Sequence, residues 1–138
     1  PIPDPNDPEP YVERTREMFA QVGVDTSPGE TALAELDRLL AALPRPSEGD
    51  TSYRPVATLL AIGLAFSAEL RHRHRSLDWV TGDAALARFY ALGVRTHEET
   101  YLRPIDYVFD AYDSTATAPL AAYEELVRVR LRHLGDQP

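Results

Sequence analysis

The sequence has no cysteine and no lysine, and each absence excludes a class of chemistry. Without cysteine the chain can form no disulfide, no thiolate nucleophile and no thiolate metal site, which is compatible with a reducing cytoplasm. Without lysine it can form no Schiff base and no P-loop of the usual kind. All 14 basic residues are arginine, and asparagine occurs once, at Asn6. This bias is typical of a GC-rich coding sequence and indicates a bacterial source.

Glycine-rich motifs and long apolar runs are also lacking. The seven glycines are scattered singly, so neither a GxSxG nucleophile elbow nor a phosphate-cradling loop occurs. The apolar segment 56–66 has about half of the ~20 residues that a bilayer span needs. The N-terminal segment has neither the basic nor the apolar region of a secretory signal. We therefore expect a cytoplasmic protein, and we assign no catalytic residue, cofactor or metal ligand.

Negative charge is concentrated in the first third of the chain. Residues 1–50 hold eleven carboxylates against four arginines, a net of −7, whereas residues 51–138 hold eleven against ten, a net of −1. An acidic surface repels nucleic acid and anionic membranes, so neither is expected as a partner. A protein with a basic surface fits this charge better, and a homo-oligomer is left open.

The patterning predicts a single globular domain over residues 11–138, preceded by an extended proline-rich leader over residues 1–10. Apolar residues three and four apart predict a first helix, which Gly23 ends. A second helix is expected to begin at a capping box in residues 27–30. These two helices should form an antiparallel hairpin.

Residues 54–75 are predicted to form a buried central helix. Apolar side chains cover nearly its whole circumference, and small residues such as Gly63 would let neighbouring elements approach closely. The helix ends in residues 71–75, where arginine and histidine alternate. Histidines two residues apart point to different faces of a helix, so pairing with the acidic first helices and with the helix dipole is favoured over a metal site.

Beyond residue 76 the pattern changes to that of a small antiparallel sheet. Residues 77–80 and 100–103 are predicted strands, separated by turns at 81–83 and 93–96. Residues 84–92 fit either a strand or a two-turn helix.

Helical spacing returns after the sheet, from Pro104 onwards. A final helix is predicted from about Thr117, although residues 127–132 alternate as a strand would. The predicted fold is therefore α+β, with an N-terminal helical hairpin, a buried central helix, an antiparallel sheet of two or three strands and C-terminal helices. An all-α domain is the alternative.

The candidate functional surface lies around the last predicted strand and the helix after it. Carboxylates at i, i+4 and i+7 share one face of this helix, and tyrosines flank them. Tyrosine is a favoured interface anchor, and acidic charge speeds association with a basic partner. We therefore predict a non-enzymatic protein-binding module. Its expected contact residues are Tyr101, Asp106, Asp110, Tyr112 and Asp113.

Two other functions are left open. His97, Glu98 and Glu99 precede the aspartate stripe, and together these groups could serve a small carboxylate- or metal-dependent hydrolase. An unfilled volume around Gly63 and Trp79 would instead indicate a small-molecule-binding domain. Trp79 is otherwise expected to anchor the sheet on a helix.

The succession of a small-residue-rich helix, a Leu-Asp-Trp-Val strand, two more short strands and a proline that opens a helical region resembles small α+β domains of unknown function from GC-rich bacteria. Some of those domains are similar to immunity proteins, which neutralise a neighbour's toxin. The resemblance covers residues 54–112 and depends on Trp79, Pro104 and their spacing. It implies an inhibitor that acts by binding another protein.

Overall fold

The computed structural model describes residues 7–45, 55–80, 90–114 and 116–135. These residues form five helices and one three-stranded antiparallel sheet, which confirms the predicted α+β class. In chain order the elements are α1 (Glu9–Gln21), α2 (Ala32–Ala42), α3 (Val56–Arg73), β1 (Leu77–Trp79), β2 (Leu92–Val94), β3 (His97–Leu102), α4 (Pro104–Tyr112) and α5 (Pro119–His133).

The central helix α3 is the element on which most of the others pack. Residues 61–67 are all buried, and α1, α2, α4 and β1 contact this helix. The closest approach is that of α4, because a Cβ placed on Gly63 would lie only 3.0 Å from the Cα of Ile105. Glycine therefore permits this packing, at a cost of about 1 kcal/mol in helix propensity. The predicted core helix is confirmed.

The two N-terminal helices are both present, and each packs mainly on α3. Gly23 ends α1 as predicted, with φ at +79° and its N–H donated to the carbonyl of Ala20. The helix begins at Glu9, so Glu9 and Pro10 belong to it and not to the leader. Proline is tolerated there because the N–H groups of the first turn have no partner within the helix.

The capping box predicted at residues 27–30 is wrong. The helix α2 begins only at Ala32 and has no side-chain cap. Side chains of α3 hold the preceding turn, since the Gly29 N–H donates to Glu69 Oε1 at 3.1 Å and Arg73 Nη2 donates to the Gly29 carbonyl at 3.3 Å. A contact distant in sequence thus replaces the local cap.

The three strands lie in the order β1-β2-β3, and both neighbouring pairs are antiparallel. The predicted strand at residues 77–80 is confirmed as β1. The turn predicted at residues 93–96 begins two residues later than expected. Gly93 lies in the middle of β2, between Leu92 and Val94, which are buried, and the chain turns at Arg95 and Thr96. The turn predicted at residues 81–83 lies outside the described residues. So do residues 84–89 of the segment 84–92, which fits either a strand or a helix.

The C-terminal region is helical, which confirms the helix that the sequence predicts from about Thr117. The helix α5 runs through residues 127–132, so the strand alternative is wrong: Val127 and Leu131, one turn apart, are buried. Asp37 of α2 caps its start, accepting the N–H groups of Leu120 and Ala121 at 2.8 and 3.0 Å. A carboxylate at a helix N-terminus is stabilised by the helix dipole. In the described part of the chain, no helix combines the length and the apolar character needed to cross a membrane.

Candidate functional site

An open cleft of about 600 Å³ lies against the three-stranded sheet and is lined by all three strands. At its centre is Gly93 of β2, which pairs with Asp78 of β1 on one side and with Tyr101 of β3 on the other. Successive residues of a strand point to opposite faces, so the burial of its two neighbours places Gly93 on the outer face. Because glycine has no side chain, the middle strand leaves a depression between its neighbours.

One wall of the cleft is an irregular part of β3. Gly93 pairs with Tyr101 but Val94 pairs with His97, so three residues of β3 are inserted between two successive pairs. The middle one, Glu99, has φ at +67°, a conformation that costs a residue other than glycine about 1–3 kcal/mol. Strain of this kind clusters at functional sites. Here it accompanies two exposed carboxylates on the cleft wall, those of Glu98 and Glu99.

The cleft is acidic, since three carboxylates and one guanidinium line it. Asp78 is neutralised, because it pairs with Arg71 at 2.9 Å and with Arg95 at 3.2 Å. No ion pair joins Glu98 or Glu99 to another residue in the described part of the chain. These two side chains therefore supply the negative charge that is available to a ligand.

Trp79 borders the cleft, and several contacts hold it in place. It pairs with Leu92, which is buried, so its ring lies on the inner side of the sheet. Its indole N–H donates to Glu9 Oε1 at 2.8 Å, the guanidinium of Arg71 lies 5.5 Å from the ring centre, and Tyr90 packs edge-on at 6.1 Å. The tryptophan therefore ties the sheet to α1 and α3, as the anchor interpretation predicts.

The structure separates the five predicted contact residues. Tyr101 lines the cleft and is 37% exposed. Asp110 and Asp113 are exposed and Asp106 is half-buried, all three on α4 or directly after it, and none of them lines the cleft. The aspartate stripe is therefore a polar helix face outside the cleft.

Tyr112 does not belong to an exposed surface, which corrects its assignment as a contact residue. Its side chain is 1% exposed, and its hydroxyl donates to the carbonyl of Pro44. The guanidinium of Arg45 covers the ring at 4.1 Å. The tyrosine lies on the apolar side of α4, and its polar end is used to hold the chain after α2.

The residues of the hydrolase alternative, His97, Glu98 and Glu99, all line the cleft. Within the described ranges, however, no group of three or more histidine, aspartate or glutamate side chains is arranged to hold a metal ion. The space at Gly63, where an unfilled volume would have indicated a small-molecule site, is occupied by Ile105.

Sequence reasoning missed a buried ionic cluster between α3 and α5. His74 is fully buried, and its Nε2 lies 2.7 Å from Glu124 Oε2, to which Arg128 also donates at 2.9 Å. Arg73 pairs with Glu69, which is buried as well. The signal that could have revealed the cluster is a glutamate at position 69 in an otherwise apolar helix.

Burial and the charges of this cluster together shift the pKa of His74. Burial is the largest effect and lowers the pKa of the imidazole, Glu124 opposes this shift, and the cations of Arg128 and Arg73 add to it.

The basic run at residues 71–75 also reaches the first helix. Arg71 pairs with Glu9 of α1, so the predicted pairing between this run and the first helix is confirmed. The cluster therefore docks helices on one another.

Fold and site together define the class of molecule: an α+β domain with an acidic cleft, which Tyr101 lines, on a small antiparallel sheet. Comparison with known proteins gives no match to a protein-family model, to a curated protein or to a solved structure. The likeness to immunity proteins therefore stays a prediction, and the geometry of the cleft carries the functional inference.

Proposed function

We propose that the protein is a non-enzymatic binding module that receives a cationic segment of a partner protein in the acidic cleft. The observation that carries this proposal is that two exposed carboxylates, Glu98 and Glu99, line the same cleft as the ring of Tyr101. Carboxylates and aromatic faces are the two kinds of group that bind a guanidinium or an ammonium group most favourably.

The shape of the cleft suits an extended segment. Gly93 forms a floor without a side chain, and the inserted residues of β3 raise one wall above it. A side chain that enters between this wall and the opposite one would lose water from both faces. Desolvation strengthens a charge–carboxylate or cation–π contact, so one well-placed arginine could serve as the anchor of the interface.

The overall charge favours the same kind of partner. The chain carries a net charge of −8, which attracts a basic protein over a distance of about 10 Å at 0.1 M salt. Attraction of this kind raises the rate of association and makes binding sensitive to salt. A nucleic acid or an anionic membrane would be repelled.

The form of module that we favour is an inhibitor similar to immunity proteins, acting in the cytoplasm. An inhibitor of this type needs a surface complementary to its target and no catalytic group of its own. The ring of Tyr101 and the two carboxylates of the cleft provide such a surface. The absence of cysteine from the sequence is compatible with the reducing compartment that we propose.

Affinity capture from a lysate of the source organism, at low and at high salt, tests the proposal. The cleft variant Glu98→Gln/Glu99→Gln is compared with the control Asp110→Asn/Asp113→Asn, which removes one carboxylate on α4 and one directly after it. We expect the wild type and the control to retain one stoichiometric partner at low salt and the cleft variant to lose it. Recovery of no stoichiometric partner, or equal recovery by all three proteins, would refute the proposed site.

A further inference from the structure

Exposed apolar side chains gather at one end of the pair formed by α1 and α3. The two helices run antiparallel, because Glu9 of α1 contacts Arg71 near the end of α3. The end of α1 therefore meets the start of α3. Met18 on α1 and Val56 on α3, which are 44% and 51% exposed, lie in this region. Val22, one turn after Met18, is 74% exposed.

A groove of about 420 Å³ lies between these helices, beside the exposed side chains. Ala57 and Ala61, one turn apart on α3, contribute only small side chains to its floor, and Leu60 and Leu64 make the floor apolar. Small residues one turn apart allow the close approach of a second helix. We call this surface the α1–α3 groove.

The rim of the α1–α3 groove carries two charges of opposite sign. Arg14 and Glu17 are exposed on α1 and both line the groove. Arg14 lies 5.4 Å from the ring centre of Tyr11, and no ion pair joins either charge to another of the residues that the structure describes. Two opposite charges on one rim are complementary to a second rim of the same kind when the two face each other around a two-fold axis.

We propose that the α1–α3 groove binds a second copy of this chain in a two-fold symmetric dimer. In a two-fold interface the same patch is used by both copies, so Arg14 of each copy would face Glu17 of the other. Met18 and Val56 of each copy would cover the apolar floor of its partner. If the groove instead bound a helix whose charges all had one sign, either Arg14 or Glu17 would lie opposite a like charge. The dimer uses a surface distinct from the acidic cleft and goes beyond the proposed function.

Sedimentation equilibrium of the full chain over a range of concentrations tests the dimer. We expect the wild type to dimerise, and Met18→Glu to weaken the dimer by about tenfold or more, which corresponds to the loss of one good interface contact. The control Leu126→Glu introduces the same charge at an apolar residue of α5 that is 67% exposed. This control should dimerise as the wild type does.

Charge exchange gives a test that does not depend on loss of function alone. Arg14→Glu and Glu17→Arg should each weaken self-association, because each places like charges across the two-fold axis. Mixing the two single variants should produce a heterodimer, and the double variant Arg14→Glu/Glu17→Arg should dimerise again. A monomeric wild type, a dimer indifferent to Met18→Glu, or single variants whose mixture does not associate would overturn the proposal.

Discussion

Gly93 lies directly opposite Tyr101 in the sheet, and a Cβ built on Gly93 would stand 3.7 Å from the tyrosine ring. The ring therefore lies beside the space that a side chain of the middle strand would occupy. Glycine is a poor strand residue because it has no side chain to pack and loses much backbone entropy on folding. At position 93 an open cleft requires glycine, whereas a strand favours a residue with a side chain.

Replacing Gly93 tests whether the floor of the cleft must be open. We expect Gly93→Val to keep the free energy of unfolding within about 1 kcal/mol of the wild type, since strand propensity offsets crowding against Val80, 3.3 Å from the new Cβ. Binding of the partner should fall by at least about tenfold, the loss of a single good contact. Urea unfolding and partner titration measure the two effects. Gly93→Ala should bind the partner with an affinity between those of the wild type and Gly93→Val. Unchanged binding by Gly93→Val would contradict the assignment.

The strained conformation of Glu99 predicts opposite effects on stability and binding. Because its φ is +67°, Glu99→Gly should raise the free energy of unfolding by about 1 kcal/mol while removing a carboxylate from the cleft. The control Glu98→Gly removes the neighbouring carboxylate without relieving a positive φ and should lower stability. Both variants should bind the partner more weakly. A loss of stability in Glu99→Gly, measured by urea unfolding, would show that the bulge is not strained.

The contact between Gly63 and Ile105 predicts a destabilising alanine substitution within a helix. Alanine is the better helix former, but its Cβ would lie 3.0 Å from the Ile105 backbone, so α4 would have to move. We expect Gly63→Ala to lower the free energy of unfolding by about 1–3 kcal/mol, as other overpacked cores do. The reverse change at an exposed position of α3, Ala57→Gly, should cost only about 0.5–1 kcal/mol. A stabilised Gly63→Ala protein would refute the packing.

The buried pair of His74 and Glu124 makes stability depend on pH. Burial holds the pKa of His74 below its ordinary value of 6.5, so the unfolded chain takes up the proton first as the pH falls. The contribution of His74 is complete above about pH 6.5 and is lost as the pH falls through the lowered folded-state pKa. The carboxylate of Glu124 and the cations of Arg73 and Arg128 face the same ring and are unchanged in the test below.

Urea unfolding at about pH 7.5 and about pH 5.5, on either side of the ordinary histidine pKa, measures this contribution. The wild type should lose more stability between the two pH values than His74→Gln, because glutamine at position 74 does not titrate. The control His72→Gln changes an exposed histidine and should follow the wild type. Equal losses in all three proteins would mean that His74 titrates alike in the folded and unfolded chains.

Much of the fold could be predicted because the responsible signals are local. Apolar residues around the whole circumference of α3 indicate a buried helix without reference to any other element, and Gly23 ends α1 through its own backbone conformation. The start of α2 could not be predicted, since Glu69 and Arg73 hold the preceding turn from forty or more residues away. The strand β2 was hidden for a related reason: Gly93 has the character of a turn residue, but pairing on both sides keeps it extended.

The candidate site was predicted only in part, because a surface depends on which elements meet. The sequence indicates tyrosine and carboxylate as interface residues, and Tyr101 does line the cleft. The helical spacing of the aspartates identifies a shared face of α4 but not its distance from the sheet. Tyr112 was misplaced because a tyrosine can be an exposed anchor or a buried ring with a satisfied hydroxyl, and its contact with Pro44 decides for the second.

A titration of the isotopically labelled protein with a short arginine- and serine-containing peptide, followed by NMR at low and high salt, tests the central claim most directly. The account predicts that amide shifts caused by the peptide are confined to the cleft, around Trp79, Gly93 and residues 98–101, and that they vanish at high salt and in Glu98→Gln/Glu99→Gln. Shifts centred on the aspartates of α4, or no shifts at low salt, would contradict it.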